Sequence, residues 1–432
     1  MSLHSDRLAL LGGTPVIAEP LPPYPSLGED DVAAASAVIR SGVLSGYIGA
    51  PGAAFMGGER VRAFEQQAAE YFGVRHALTV NSWTSGLICA VGAIGLEPGD
   101  EVITTPWTMA ATATAILHWA GIPVFADIDP DTYNIDPASV ERLITPRTRA
   151  IIAVDIFGLP ANWIALRNLA DRYGLKLLGD TAQAPGARYF DQPTGTQADI
   201  GGYSLNYHKH IHCGEGGILV TNDDRLARRL ALIRNHAECV VESDQPAELA
   251  NMLGYNFRLG EIEAAIASVQ LGHLAERVAQ RRRAAARLTD GLRNLRGLAL
   301  PQVPDGCTHV YYIYGMQLDG AELGVPRQAL VDALRAEGVP GLIGSYQNIH
   351  CLPLFRHKVA YGTQGFPWTS PYARAGVAYG PGTCPVAERL HGETFIGIGL
   401  GQFLHDDAGI DRVIEAFHKV WDLRHSLVRK AA

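Results

Sequence analysis

The 432-residue sequence lacks several patterns that mark particular classes of protein. No apolar run reaches the roughly 18 residues that a membrane-spanning helix requires. No basic block stands out among 36 Lys and Arg and 44 Asp and Glu, and the net charge is −8. We expect no secretory leader in the first residues given, because the apolar stretch at 8–11 is too short for one. We therefore expect neither nucleic acid nor a membrane as a partner.

Cysteine is also scarce, with six residues scattered along the chain and no C-x-x-C pair. This excludes a disulfide framework and a zinc ribbon, and it predicts a reducing, cytoplasmic location. The remaining composition is ordinary for a globular protein, at 47% hydrophobic and 19% charged residues. A chain of this length is expected to form two or three lobes rather than one core.

Short β-rich segments alternate with helical ones through the first half of the chain. Seven segments have the β-rich pattern: 76–80, 101–105, 123–128, 150–156, 176–180, 200–205 and 217–221. Helical periodicity lies between most of them, which predicts a mostly parallel seven-stranded sheet with helices on both faces. Sheets of this kind bind ligands at the carboxyl ends of their strands.

Changes in pattern suggest how the chain is divided. Five prolines within the first 27 residues predict an irregular arm, and a long helical region begins at Glu261. A second alternation of strand and helix follows Pro301, and its first segment, 310–318, is predicted to be a strand. We predict an arm at 1–27, a large domain at 28–285 and a smaller C-terminal α+β domain at 286–432.

The residue that indicates chemistry most clearly is Lys209, which follows a strand-like segment and precedes a Gly-rich turn. A lysine in this setting can form a Schiff base with pyridoxal phosphate (PLP). Asp180 ends an earlier apolar strand and could hold the ring nitrogen of that cofactor protonated. Taken alone, Asp180 could equally be the N-cap of the next helix.

An anion site is predicted where a helix follows the first strand. Residues 81–87 read NSWTSGL, so the free N–H groups of the helix start lie beside the hydroxyls of Ser82, Thr84 and Ser85. Ser204, five residues before Lys209, is a second candidate for the cofactor phosphate. The alternative for residues 81–87 is an ordinary cluster of N-capping residues.

Three alternating histidines, His208, His210 and His212, invite comparison with a metal site. No acidic or cysteine residue has convincing ligand spacing, and Cys213 alone does not complete a site. We therefore predict no metal, and we expect these histidines to face the substrate or the surface.

Five sequence blocks, in this order and spacing, resemble the DegT/DnrJ/EryC1/StrS family of PLP-dependent sugar aminotransferases. The blocks are GDEVITTP at 99–106, GDTAQAPG at 179–186, KHIHCGEGG at 209–217, LGYNFRL at 253–259 and CPVAERL at 384–390. The resemblance covers nearly the whole chain. It implies an α/β, aspartate-aminotransferase-like architecture (PLP fold type I) with a smaller C-terminal domain.

The resemblance also implies roles for particular residues. Lys209 would be the Schiff-base lysine, Asp180 the partner of the ring nitrogen and Gln183 the contact to the ring hydroxyl. Three residues would bind the phosphate: Trp83, Thr84 and Ser204. The Asn256 region would reach the phosphate of the neighbouring subunit's cofactor, which implies a homodimer with shared active sites; Arg258 is the alternative for that contact.

Two positions depart from the family pattern. The family often has a small residue in place of Trp83, and it usually has an aromatic residue, stacked on the cofactor ring, in place of Met109. Met109 can pack there through its polarizable sulfur, or Trp107 can take that place. One branch of the family replaces the lysine by histidine and dehydrates deoxysugars, so the retained Lys209 favours transamination.

The sequence therefore predicts transfer of an amino group from glutamate or glutamine to a ketone substrate. The acceptor would be a keto sugar, nucleotide-linked or free, or a ketocyclitol. The alternatives are a PLP-dependent sugar dehydratase and a non-catalytic regulator with the same fold. Candidate substrate contacts lie in the loop at 42–58, near Lys209 and in the region around residue 350: Tyr47, His208, His210, Tyr346 and His350. An ordinary surface loop is the alternative for the first and last of these regions.

Overall fold

A computed structural model describes residues 7–401, 403 and 406–430, and the ends of the predicted arm and C-terminal domain lie outside them. The helices are α1 (Glu29–Ser41), α2 (Glu59–Phe72), α3 (Trp83–Ala93), α4 (Ala111–His118), α5 (Pro137–Leu143), α6 (Trp163–Tyr173), α7 (Asp224–Arg234), α8 (Pro246–Leu249), α9 (Glu261–Leu292), α10 (Gly320–Leu323), α11 (Arg327–Ala336), α12 (Pro353–Arg356), α13 (Pro385–Arg389) and α14 (Asp407–Leu423). Within the described residues, none of them combines the length and apolar character needed to cross a bilayer.

The strands form three sheets. They are β1 (His76–Val80), β2 (Glu101–Thr104), β3 (Ile122–Phe125), β4 (Thr148–Val154), β5 (Lys176–Asp180), β6 (Arg188–Tyr189), β7 (Gln192–Pro193), β8 (Ile200–Ser204), β9 (Gly217–Thr221), β10 (Leu298–Ala299), β11 (Cys307–Thr308), β12 (Ile313–Leu318), β13 (Leu342–Ile343) and β14 (Phe395–Gly399). The large sheet has the order β1-β9-β8-β5-β4-β2-β3, and only β9 runs antiparallel to its neighbours. The predicted mostly parallel seven-stranded sheet is confirmed.

The register of this sheet brings several strand ends to one edge. Val80 and Ser204, the last residues of β1 and β8, both lie opposite Gly217 of β9. Asp180, the last residue of β5, pairs with Gly202 of β8 and with the end of β4. The segments that follow these strands therefore start at the same carboxyl edge, where parallel sheets place their ligand sites.

The second half of the chain forms a separate four-stranded sheet, in the order β10-β12-β14-β13. Its core includes buried side chains from α11 and α14 and from the last turns of α9. The strand predicted to begin at residue 310 begins instead at Ile313, because Tyr311 has a left-handed φ of 50° that extended strands do not tolerate. The three two-residue strands β11, β6 and β7 form a small sheet that the sequence did not predict.

The proline-rich N-terminal segment packs against this second core. Leu8, Ile17 and Leu21 are buried together with residues of α9, α11 and α14. Among the described residues before 28, the only regular element is a 3₁₀ turn at Ala9–Leu11. The division at 27/28 and 285/286 stays a prediction, and this packing places part of the arm with the C-terminal core.

A buried ion pair fastens the N-terminal segment. Glu337 accepts hydrogen bonds from the backbone N–H groups of Ala9 and Val16, at 2.8 and 3.0 Å. Lys419 Nζ lies 2.9 Å from Glu337 Oε2 and donates to the carbonyl of Thr14 at 2.6 Å. Both charged side chains are almost inaccessible to water, at 2% and 0% exposure.

We predict that Glu337→Gln lowers the free energy of unfolding by about 3–5 kcal/mol, because it leaves the Lys419 ammonium buried without a counter-charge. Urea-induced unfolding of the purified variant measures the loss. A double variant, Glu337→Gln with Lys419→Met, should recover part of it, because neither charge then remains. Asp332→Asn, which breaks an exposed pair with Arg335, is the control and should have a much smaller effect. An equally small effect of Glu337→Gln would contradict the prediction.

Candidate active site

Asp180 lies at the carboxyl end of β5 and is only 3% exposed. Its Oδ1 accepts from the indole Nε1 of Trp83 at 2.7 Å and from the backbone N–H of Ala182 at 3.3 Å. Its Oδ2 accepts from the hydroxyl of Thr112 at 2.6 Å. Burial raises the pKa of Asp180, and the hydrogen bonds from Thr112 and Trp83 oppose this shift by stabilising the carboxylate.

Lys209 is partly buried in the segment after β8. Its ammonium nitrogen lies 4.4 Å from the ring centroid of Tyr312 and 3.5 Å from the hydroxyl of that residue. Lys176 and Lys419 form ion pairs, but within the described part of the chain Lys209 does not. Burial lowers the pKa of Lys209 to about 8, opposed by the Asp180 carboxylate and assisted by the Arg281 guanidinium.

This pKa predicts how the apoenzyme reacts with pyridoxal phosphate as pH changes. Only the neutral amine attacks a carbonyl, so the rate should rise with pH through about 8 and then level off. Borohydride trapping followed by peptide mass spectrometry at Lys209 measures the rate. A lysine-containing model peptide, with a pKa of about 10.4, should still be gaining rate above pH 9. A profile for Lys209 that matches the peptide's would contradict the prediction.

Gln183 is held in one orientation beside Asp180. Its Oε1 accepts from the backbone N–H of Phe157 at 2.8 Å, and its Nε2 donates to the hydroxyl of Tyr346 at 3.2 Å. Burial raises the pKa of Tyr346 to about 12, so this phenol stays neutral at physiological pH. Its ring also packs against Trp107 and Phe157.

The anion site predicted at 81–87 is the N-terminus of α3. Ser82 is the N-cap of α3 and accepts from the backbone N–H of Ser85 at 3.1 Å. Ser82 therefore has the N-capping role that was the alternative for this segment. Thr84 is exposed in the first turn. A Cβ built on Gly217, the first residue of β9, would lie only 3.0 Å from the Trp83 Cα. The first turn of α3 therefore lies against β9, in which Gly217 pairs with Ser204. The N–H groups and hydroxyls at this edge are suited to a phosphate.

Together these groups fit pyridoxal phosphate. Lys209 provides an amine with a lowered pKa and no carboxylate partner among the described residues. Asp180 keeps unused acceptor capacity on Oδ2, which accepts from Thr112 alone, and the N-terminus of α3 offers N–H groups suited to a phosphate. The cofactor supplies an electron sink for the cleavage of bonds to the substrate carbon.

The remaining predicted cofactor contacts are Met109, with Trp107 as its alternative, and Asn256. Met109 is 68% exposed, its Sδ accepts from the backbone N–H of Ala111 at 3.4 Å, and its stacking role stays a prediction. Trp107, the alternative, is fully buried, and its indole N–H donates to Asn348 at 2.7 Å, so the structure does not favour it. Asn256 is exposed, with its carbonyl 3.5 Å from the Asn81 side chain, beside the start of α3.

Three of the predicted substrate contacts occupy positions that do not favour that role. Tyr47 is buried, and the guanidinium groups of Arg234 and Arg258 lie 5.2 and 5.7 Å from the centroid of its ring. His210 is fully buried and bonds to the carbonyl of Val310 at 2.9 Å. In contrast, His208 is exposed, with its ring 6.1 Å from that of Tyr312.

His350 is the third, because it is fully buried and bonds to Glu388 at 2.9 Å. Potential ligand atoms of His350, Cys351 and Glu388 lie within 4.8 Å of one another. The Glu388 carboxylate also accepts from the backbone N–H groups of Gly382 and Cys384. These contacts give Glu388 a structural role at the start of α13.

Two residues of the site were missed in the sequence. Thr112 lies on α4, where it faces Asp180, and Tyr312 precedes β12, where it covers Lys209. Neither belongs to one of the five blocks, and both meet their partners only through long-range packing. Tyr312 lies within the segment predicted as a strand from 310 to 318, which gave no indication of its position over the lysine.

Comparison with known proteins identifies the family. The family model described as "DegT/DnrJ/EryC1/StrS aminotransferase family" matches residues 49–394. The chain belongs to this family. It is accordingly a PLP-dependent aminotransferase with the fold type I architecture, as the sequence predicted.

Several relatives have assigned activities. L-glutamine:2-deoxy-scyllo-inosose aminotransferase of Streptomyces kanamyceticus is 34% identical, over 100% of both chains. UDP-N-acetyl-3-dehydro-alpha-D-glucosamine 3-aminotransferase of Acidithiobacillus ferrooxidans is 38% identical, over 76% of this chain and 86% of its own length. The solved structure of DesI, determined in the presence of its TDP-sugar product, has a TM-score of 0.79 and 28% identity, and the match covers 98% of each chain.

Proposed function

We propose that this aminotransferase moves the amino group of L-glutamine to a ketocyclitol of the 2-deoxy-scyllo-inosose type. The observation that carries this choice is that one activity recurs among the relatives. Two relatives named for this activity align over nearly the whole of both chains, at 34–35% identity, and a third is 38% identical over 76% of this chain. A relative named for a UDP-linked sugar is also 38% identical over 76% of this chain. A keto sugar, nucleotide-linked or free, is the second candidate acceptor.

Lys209 has two tasks in this proposal. Its amine binds the cofactor, and after the amino donor displaces it, the same amine accepts and returns the proton of the substrate carbon. A lysine with an ordinary pKa of about 10.4 would be mostly charged at neutral pH and a poor base. The lowered pKa of Lys209 removes much of this obstacle, and the neighbouring Tyr312 ring keeps the freed amine in place.

The remaining residues bind and orient. Asp180 holds a proton on the ring nitrogen, and Gln183 bonds to the ring hydroxyl. Trp83 through its backbone, Thr84 and Ser204 bind the phosphate. On the substrate side, Tyr346 presents a neutral hydroxyl beside Gln183, and His208 lies at the exposed margin near Tyr312. Met109 packs on the cofactor.

The acceptor is tested by single-turnover reaction of the pyridoxamine-phosphate form with a panel of ketones. Under this proposal 2-deoxy-scyllo-inosose reacts fastest, and the product mass shows a carbonyl oxygen replaced by an amine. A nucleotide-linked keto sugar that reacts about tenfold faster would favour the second candidate. Loss of water without amine transfer would identify a dehydratase, and no reaction with any ketone would favour a non-catalytic regulator.

We also propose a homodimer with shared active sites in the cytoplasm. Tyr207 and Leu253 are exposed apolar residues in the same segments as Lys209 and Asn256, which supports coverage by a second subunit. The six free cysteines support a reducing compartment.

Sharing is testable with two inactive variants. Asn256→Ala and Lys209→Ala homodimers should each be impaired. If Asn256 reaches across the interface, a mixed dimer contains one site with both residues intact, and mixing should restore activity toward one site per dimer. Arg258→Ala takes the place of Asn256→Ala in a parallel mixture. Light scattering gives the oligomeric state, and a monomer or a mixture without recovery would contradict the proposal.

A further inference from the structure

We infer that Trp83 is a positioning residue whose indole N–H holds the Asp180 carboxylate in place for the ring nitrogen of the cofactor. This inference rests on the PLP site and is independent of which ketone is the acceptor. Trp83 was expected to contact the phosphate as the residue at the start of α3. Its side chain instead turns inward, where Nε1 lies 2.7 Å from Asp180 Oδ1.

A count of acceptor positions on Asp180 shows what this bond does. A carboxylate has two oxygens with about four lone-pair positions in total. Oδ1 accepts from Trp83 and from the backbone N–H of Ala182, and Oδ2 accepts from Thr112 alone. Oδ1 is therefore saturated, and the remaining position on Oδ2 is the one left for another donor. Because two donors hold Oδ1, the carboxylate cannot rotate without losing buried hydrogen bonds.

Trp83 also differs from the other side-chain donor. The hydroxyl of Thr112 lies 2.8 Å from the Thr108 hydroxyl and 3.2 Å from the carbonyl of Met109, so it has alternative partners. An indole N–H donates only, and Asp180 is its acceptor here. Trp83 is therefore the side chain committed to Asp180.

The surrounding glycines fit the indole closely. A Cβ built on Gly202 would lie 2.1 Å from the Trp83 ring, and one built on Gly86 would lie 2.6 Å from it. Gly202 belongs to the strand that pairs with Asp180, so the indole lies directly against that part of the sheet. Within this slot the ring cannot swing away, and the direction of its N–H is determined by packing.

The chain contains a matched control for this interaction. Trp163 is also buried, and its Nε1 donates to Asp155 Oδ1 at 3.0 Å and to Thr194 at 2.8 Å. Asp155 follows β4, the strand next to β5, but it is saturated by protein donors and has no predicted cofactor contact. Trp163→Phe therefore removes a buried indole–carboxylate hydrogen bond from the same sheet edge without touching the proposed site.

The experiment compares Trp83→Phe, Trp163→Phe and the unaltered chain as apoenzymes. Two ligands are titrated: pyridoxal phosphate and its 1-deaza analogue, in which carbon replaces the ring nitrogen. Trp83→Phe should weaken binding of pyridoxal phosphate about tenfold, the effect of losing a hydrogen bond to a charged group. The same substitution should weaken binding of the analogue by less than about twofold, because the analogue has no ring N–H for Asp180. Trp163→Phe should leave the preference between the two ligands unchanged.

Thermal unfolding of the three apoproteins shows whether each variant is folded, and the binding of the two ligands then separates positioning of Asp180 from packing. If Trp83→Phe lowers binding of both ligands equally, the indole only fills space and the inference is overturned. Unchanged binding of pyridoxal phosphate would overturn it as well. If Trp83→Phe does not fold, benzothienylalanine at position 83 keeps the ring volume and removes only the N–H, and the same comparison applies. Failure of the proposed acceptor would leave these titrations unchanged, because they involve no ketone.

Discussion

Lys209→Ala should abolish transamination, with a loss of turnover of at least about a thousandfold, because one side chain both binds the cofactor and carries the proton. The structure supports the double role, since the amine has no carboxylate partner within the described residues and a pKa of about 8. The variant should still bind the cofactor non-covalently through Asp180 and the N-terminus of α3. Borohydride treatment should then attach no cofactor to the protein.

Two further measurements make this prediction specific. Lys176 begins β5 and pairs with Asp199. The control variant Lys176→Ala should keep a cofactor that borohydride attaches to the protein, and its turnover should be near normal. Small alkylamines added to the Lys209→Ala variant should restore part of the activity, because a free amine can replace the missing base. Retention of covalently attached cofactor by Lys209→Ala would show that another residue forms the Schiff base.

Asp180→Asn should reduce turnover by about a hundredfold to a thousandfold while the variant keeps some cofactor. Trp83 and the N–H of Ala182 both donate to Oδ1, so the amide oxygen of the substituted side chain is required at that position. The amide nitrogen then replaces Oδ2. It can donate but not accept, and it carries no charge to keep the ring nitrogen protonated.

The control for this variant is Asp155→Asn, which also neutralises a buried carboxylate at the end of an adjacent strand. Its four donors are Ala161, Trp163, Thr181 and Thr194. Asp155→Asn should destabilise the protein, as followed by thermal unfolding, yet the turnover per folded, cofactor-loaded subunit should change little. If Asp180→Asn remained fully active, the role of Asp180 at the ring nitrogen would be wrong.

The accuracy of the sequence-based fold prediction followed the length and pattern of each element. The segments 76–80, 176–180 and 217–221 match β1, β5 and β9 at both ends. Each is a continuous buried run or nearly so, bounded by turn residues, and this pattern is local. The paired strands β6 and β7, with two residues each, are too short to produce a period in the sequence.

Pattern alone also did not reveal the surroundings of several side chains. His210 and His350 are polar residues that looked available for substrate, but both are fully buried and bonded to protein groups. Tyr47 lies in a long loop, yet it is buried against Arg234. A loop position or a histidine does not reveal which protein groups will satisfy it, because those groups come from distant segments.

By itself the sequence determined the sheet and the family, and it predicted the main participants of the site, Lys209, Asp180 and Gln183. These follow from local strand patterns and short blocks, because each participant has a defined place relative to its own strand or turn. Only the tertiary structure decided which donors hold Asp180 and which ring covers Lys209. Trp83 and Thr112 lie 97 and 68 residues from Asp180, and Tyr312 lies 103 residues from Lys209. Sheet register and helix packing bring them together, and neither is written in any one segment of the chain.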